Sequence, residues 1–163
     1  MINLRKKNYP VILFILSFFI LTSALIIEYV FGYQPCNLCL IERIPYALSI
    51  IILLINFLFK KDHVFYSVLL MLIFSFSTII SIYHLGIEQG LLLESSICTS
   101  QNLDLITKEQ VLNSLKELNI SCKNVAFKIF GLSLTTYNIF LSVFMFVLSA
   151  KIYLLSINYD NKK

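Results

Sequence analysis

Four long apolar runs divide the chain, and the segments between them are short or strongly polar. The runs cover about residues 11–31, 41–59, 64–85 and 132–150. A helix needs roughly 20 apolar residues to cross the ~30 Å hydrocarbon core of a bilayer. Each run therefore predicts a transmembrane span, and the fold class is an all-α integral membrane protein, a four-helix bundle. "MINLRKKNYP" precedes the first run, with Pro10 at its start, where a missing backbone N–H costs little. A cleaved signal peptide would have an apolar core of about 7–15 residues and a small-residue cleavage site. This run is longer and continues through Glu28 and Tyr29, so a retained helix is expected.

The second run ends at "FKKDH". Counting back roughly 20 residues from Lys60 reaches Leu40, whereas a start at Pro45 leaves a short helix. Either way Cys36 and Cys39 lie at the membrane surface. Between the third and fourth runs, residues 86–131 form the one long polar loop. Within it "ITKEQVLNSLKELN" carries a capping box, Thr107 with Gln110. Val111, Leu112, Leu115 and Leu118 form a single stripe there. That pattern predicts a short amphipathic helix, lying on the membrane or packed on the bundle.

Composition agrees with the spans. Of 163 residues 58% are hydrophobic and 13% charged, against about a quarter charged in a soluble domain. The length suits a single membrane domain. The net charge is +4, but no basic stripe interleaves with aromatics, so nucleic acid is not an expected partner. The cations orient the chain instead. Arg5, Lys6, Lys7, Lys60, Lys61, Lys151, Lys162 and Lys163 fall on one side. On the other, the loop of about 32–44 has Arg43, and the long loop dilutes Lys108, Lys116, Lys123 and Lys128 with five acids. The positive-inside rule puts both termini in the cytoplasm and all four cysteines on the exported side, where disulfides persist.

The chemistry therefore centres on Cys36, Cys39, Cys98 and Cys122. A thiolate is the nucleophile in thiol chemistry, and a helix N-terminus or an Arg lowers its pKa. Arg43 lies one turn beyond Cys39 if the helix begins at Leu40, on the same face. Pro35 and Pro45 restrict the intervening loop. Two thiol pairs on one side make a relay by thiol–disulfide exchange plausible. Two alternatives remain: a zinc site, which the wide Cys98–Cys122 separation disfavours, and two static disulfides. Glu42 reads as the interfacial ion-pair partner of Arg43. Glu28 and His84 sit near span ends, where both are expected to be solvated; each is either helix-end polarity or a proton or ligand group.

At these residues the chain resembles the bacterial DsbB family. "QPCNLCLIER" is similar to that family's Pro-Cys-x-x-Cys followed by a Glu/Gln-Arg pair. "YHLGIEQG" and "FGLSLTTYN" resemble its third-helix exit and fourth-helix entry. The resemblance covers nearly the whole chain, with two departures. The stretch between Cys98 and Cys122 is slightly short for the family. Phe127 stands where the family often has a tryptophan, a residue absent from this sequence.

The resemblance implies a thiol:quinone oxidoreductase in the bacterial inner membrane, with its cysteine loops periplasmic. Cys98 and Cys122 would form the disulfide that oxidises a periplasmic thioredoxin-fold, DsbA-like thiol oxidase, with Cys98 taking the mixed disulfide. Cys122 would then exchange with Cys36. Cys39 would be the thiolate that contacts a quinone, ubiquinone or menaquinone, with Arg43 near its head group. Electrons would pass to the membrane quinone pool. A dedicated-substrate enzyme, or one like the vitamin K epoxide reductase group, is an alternative, although that group carries its Cys-x-x-Cys later in the chain. A structural membrane subunit with static disulfides is another.

Overall fold

A computed structural model of the chain describes residues 2–59, 63–93, 98, 122, 128, 129 and 131–160. The expected amphipathic helix of the long loop lies outside the described residues.

Helix α1 spans Ile2–Tyr29. It begins earlier than expected, and Pro10 falls inside it rather than at its start. It ends in a turn through Gly32, whose φ of 72° is the left-handed conformation that glycine adopts without a Cβ clash. Val30 N–H and Phe31 N–H both bond back to the Ile26 carbonyl there, at 2.9 and 3.3 Å.

The second run folds as two helices, α2 over Asn37–Ile41 and α3 over Ile44–Phe59. Pro45 accounts for the division. It has no N–H for the Ile41 carbonyl, and its ring crowds that carbonyl. The chain turns at Glu42 and Arg43, where Arg43 N–H bonds three residues back to Leu40 O at 3.1 Å. Pro45 itself sits in the first turn of α3, where its fixed φ suits a helix.

Helix α4 spans His63–Glu88, and α5 spans Leu134–Asp160. A two-residue antiparallel ladder, β1 (Lys128–Ile129) with β2 (Leu132–Ser133), leads into α5. Helices α1, α3, α4 and α5 close a ring of contacts, α1 on α3, α3 on α4, α4 on α5 and α5 on α1. The pair α4 and α5 packs most extensively. Four stretches are long and apolar enough to cross a membrane: Asn8–Tyr29, Asn37–Phe59, Val64–Glu88 and Leu134–Asn158.

The bundle has small polar residues inside and large apolar ones outside. Ser17, Ser49, Ser67, Ser77, Ser81, Ser142, Ser149 and Ser156 are buried, while Phe18, Phe19, Leu58, Leu72, Ile79 and Phe140 are exposed. Lipid tails are as apolar as leucine, so helices in a bilayer associate through close packing and interhelical hydrogen bonds. Ser49 donates to Ser17 at 2.8 Å, and Thr78 to Ser142 at 3.1 Å. Tyr46 donates to Asn138, which donates to Ser81 at 2.8 Å. Leu13, Tyr46, Leu53, Leu70, Phe74, Met145, Leu148 and Ile152 form the apolar core. One end of the bundle gathers the C-terminal ends of α1 and α4 with the N-terminal ends of α3 and α5, and all four cysteines lie at that end.

Candidate functional site

Cys36 is the N-cap of α2. Its backbone is extended, with φ −70° and ψ 166°, and its sulfur accepts the Cys39 N–H at 3.3 Å. Sulfur here takes the place of the serine or aspartate oxygen usual at an N-cap. Pro35, just before, biases the chain towards this entry. The cap brings Cys39 round so that the two sulfurs stand 2.8 Å apart. A disulfide bond is about 2.05 Å, so the pair closes with a movement under about 1 Å. Both are free thiols.

His84, on α4, reaches the same sulfur from across the bundle, with Nε2 3.5 Å from Cys36 Sγ. Its other nitrogen, Nδ1, lies 3.0 Å from Glu42 Oε1 and 3.5 Å from Thr135 Oγ1 on α5. His84 is 3% exposed and Glu42 7%. The expectation that His84 is solvated is therefore not met. Glu42 pairs with it instead of with Arg43. Arg43 pairs with Glu28 at the end of α1, and these two side chains keep 19% and 21% of their surface. The turn at residues 42 and 43 separates the neighbours. It sends Glu42 inward between α2 and α4 and Arg43 outward to α1.

Cys98 and Cys122 form a disulfide, with Cα atoms 5.5 Å apart. Both are buried, and they share one apolar cluster with Cys36, Leu38 and Ile87, against which Cys39 and Ile41 pack. The structure thus brings all four predicted cysteines together, one pair bonded and one open. Arg43 stands near by, salt-bridged to Glu28.

The Cys36 sulfur is rich in donors. The hydrogen bond from the Cys39 thiol, supported by His84 and the Cys39 N–H, outweighs burial and holds the Cys36 thiol well below the ordinary thiol range. The register of Arg43 predicts a stabilised thiolate at Cys39; the donors gather instead at the Cys36 sulfur. Cys36, Cys39 and His84 also offer three donor atoms within 4.8 Å of one another. A structural zinc site takes four ligands, and Cys98 and Cys122 are committed to each other. Thr135 and the buried role of Glu42 were not legible beforehand. The one sequence signal for Glu42 is its spacing, three residues after Cys39, which returns it to the cysteine face of a helix.

What this arrangement can do is thiol–disulfide exchange: a nucleophilic sulfur, a partner sulfur in reach, and a second pair packed against them. The family model of disulfide bond formation protein DsbB matches residues 6–152. An uncharacterized protein of Rickettsia prowazekii (strain Madrid E) is 33% identical over 152 residues, covering 88% of this chain and 87% of its own length. No solved structure matches. A match running from before the first span into the last helix, on a chain with four membrane-spanning helices and two adjoining cysteine pairs, marks a multi-pass membrane oxidoreductase, and the chain belongs to the DsbB family.

Proposed function

We propose that the protein is a thiol:quinone oxidoreductase that re-oxidises a periplasmic thioredoxin-fold, DsbA-like dithiol oxidase. The observation that carries this reading is the single buried cluster holding a bonded pair, Cys98–Cys122, beside an open pair, Cys36 and Cys39. A partner dithiol reduces Cys98–Cys122 through a mixed disulfide at Cys98. The partner's second thiol closes its own disulfide and frees Cys98. Cys122 attacks Cys36 of the oxidised Cys36–Cys39 pair, forming Cys36–Cys122 and releasing Cys39. Cys98 then attacks Cys122, re-forming Cys98–Cys122 and releasing Cys36, which leaves the Cys36–Cys39 pair reduced. Two electrons and two protons have then moved from the partner to Cys36 and Cys39.

A quinone, when bound, supplies the final two-electron, two-proton acceptor. The residues present fit one. Cys39 lies in the first turn of the second span, and Leu40 and Ile44 are exposed beside it on a surface suited to lipid. Arg43 offers guanidinium donors at the same level, held in place by Glu28. The cation distribution supports an inner-membrane orientation with cytoplasmic termini.

The test is quinone reduction by the purified protein with a reduced thioredoxin-fold partner. Loss of quinone absorbance matched mole for mole by partner disulfide is expected, with no loss in Cys39→Ser. Unchanged partner oxidation in cells carrying Cys39→Ser sinks the relay in favour of a static role.

A further inference from the structure

We propose that His84, held in register by Glu42, is the proton acceptor of Cys36, so that the reduced pair rests with a Cys36 thiolate facing an imidazolium. The argument is geometric. The two ring nitrogens of His84 face two partners from different parts of the chain, Cys36 at 3.5 Å and Glu42 at 3.0 Å. An ionised carboxylate only accepts hydrogen bonds, so Nδ1 carries a proton and donates it to Glu42. That fixes the tautomer and leaves Nε2 as the nitrogen whose proton can come and go. Nε2 is the atom that faces the sulfur.

The step is a proton transfer alone. The Cys36 S–H bond breaks, an Nε2–H bond forms, and no electron moves. Burial opposes isolated charges, but here the new cation lies between two anions, and the group of three keeps one net negative charge throughout. Among the described residues, the titratable neighbours of His84 are Cys36, Cys39 and Glu42, from α2 and the turns flanking it. Thr135 is the neutral neighbour from α5. The Tyr46 hydroxyl of α3 is engaged by Asn138, and the Arg43 charge by Glu28.

The consequence for turnover rests on the relay reading. When the Cys36–Cys122 bond breaks, Cys36 is the leaving sulfur, and a thiol of lower pKa leaves faster. His84 is then catalytic, because it touches the reacting sulfur, and Glu42 is a positioning residue.

The experiment uses the full chain with Cys39→Ser in detergent micelles. With Cys98–Cys122 bonded, Cys36 is the remaining thiol of the four cysteines, and its thiolate ultraviolet absorbance is titrated against pH. The midpoint is expected at least about one unit below the ordinary thiol value of ~8.5. Adding His84→Gln is expected to raise it by one unit or more, and adding Glu42→Gln to raise it by less. A merely structural role lowers the yield of folded protein and leaves the midpoint of the folded fraction where it was. A midpoint unmoved by His84→Gln overturns the proposal. If that variant loses its helical circular dichroism, an unmoved midpoint in Glu42→Gln overturns it instead. A midpoint that moves, when the protein with Cys39 intact reduces no quinone, counts against the relay alone. Normal quinone reduction by the protein with Cys39 intact, together with an unmoved midpoint, counts against the proton acceptor alone.

Discussion

Glu42 and Arg43 are adjacent in the chain, yet one belongs to the interior of the bundle and the other to its edge. Glu42 is buried against His84, which faces the Cys36 sulfur. Arg43 is part-exposed against Glu28. The two pairings differ in energetics as well as place. Removing one member of a buried charged pair leaves the other desolvated without compensation, whereas a part-exposed pair is screened and worth little. The turn forced by Pro45 thus divides two adjacent charges between the interior and the edge of the bundle.

The largest effect that tests this contrast is on stability. Glu42→Ala is expected to cost about 3 kcal/mol, because His84 loses its partner inside the protein. Arg43→Ala should cost no more than about 1 kcal/mol. Denaturant unfolding of the reduced protein in micelles measures both, and equal losses would erase the distinction between interior and edge.

A pH dependence sharpens the interior side. The Cys36 thiol is lowered in the folded protein, so ionised Cys36 favours folding of the reduced form. Because the proton stays on His84, folded and unfolded chains hold equal numbers of protons between the unfolded imidazole and thiol values of ~6.5 and ~8.5. The contribution is lost only as pH falls from ~6.5 towards the lower folded thiol value. The folded-to-unfolded ratio should fall by up to about tenfold for each pH unit in this window. Cys36→Ser should flatten that part of the curve. An identical pH profile in the variant would show that the dithiol contributes nothing to it.

The edge side is tested by kinetics. Arg43→Ala should raise the apparent quinone KM by about tenfold, the loss expected for one hydrogen bond from a charged donor. Oxidation of the thioredoxin-fold partner by Cys98–Cys122 in a single turnover should be unaffected. An unchanged KM and rate would remove Arg43 from the quinone site. The smallest effect calibrates the other two. Ser17→Ala removes an uncharged interior hydrogen bond to Ser49 and is expected to cost about 0.6 kcal/mol in the same unfolding measurement.

Much of the fold was legible because a membrane protein writes its spans as uninterrupted hydropathy. All four runs appear as helices, the second as two. But α1 starts at Ile2 where the apolar run begins at 11, and α5 runs on to Asp160 where its run ends at 150. The third extends to Glu88 because a helix continues past the apolar stretch until a residue such as Gly90, at φ 74°, lets the chain turn. The early start of α1 was hidden because Pro10 reads as a beginning, yet a helix can carry a proline inside it. The cysteines were legible as a set because a Cys-x-x-Cys pair needs only local backbone to bring its sulfurs together.

The sequence by itself determined a four-span membrane chain, a dithiol at a span end, a second cysteine pair in the long loop and a family resemblance. These rest on hydropathy, charge asymmetry and spacings of a few residues, all of them local properties. Only the tertiary structure decided that Arg43 meets Glu28, and that Glu42 and Cys36 meet one histidine on α4. Those contacts join residues 15, 42 and 48 positions apart. Their geometry depends on which way the chain turns after α2 and on which helix ends meet in the bundle, and no local pattern encodes either.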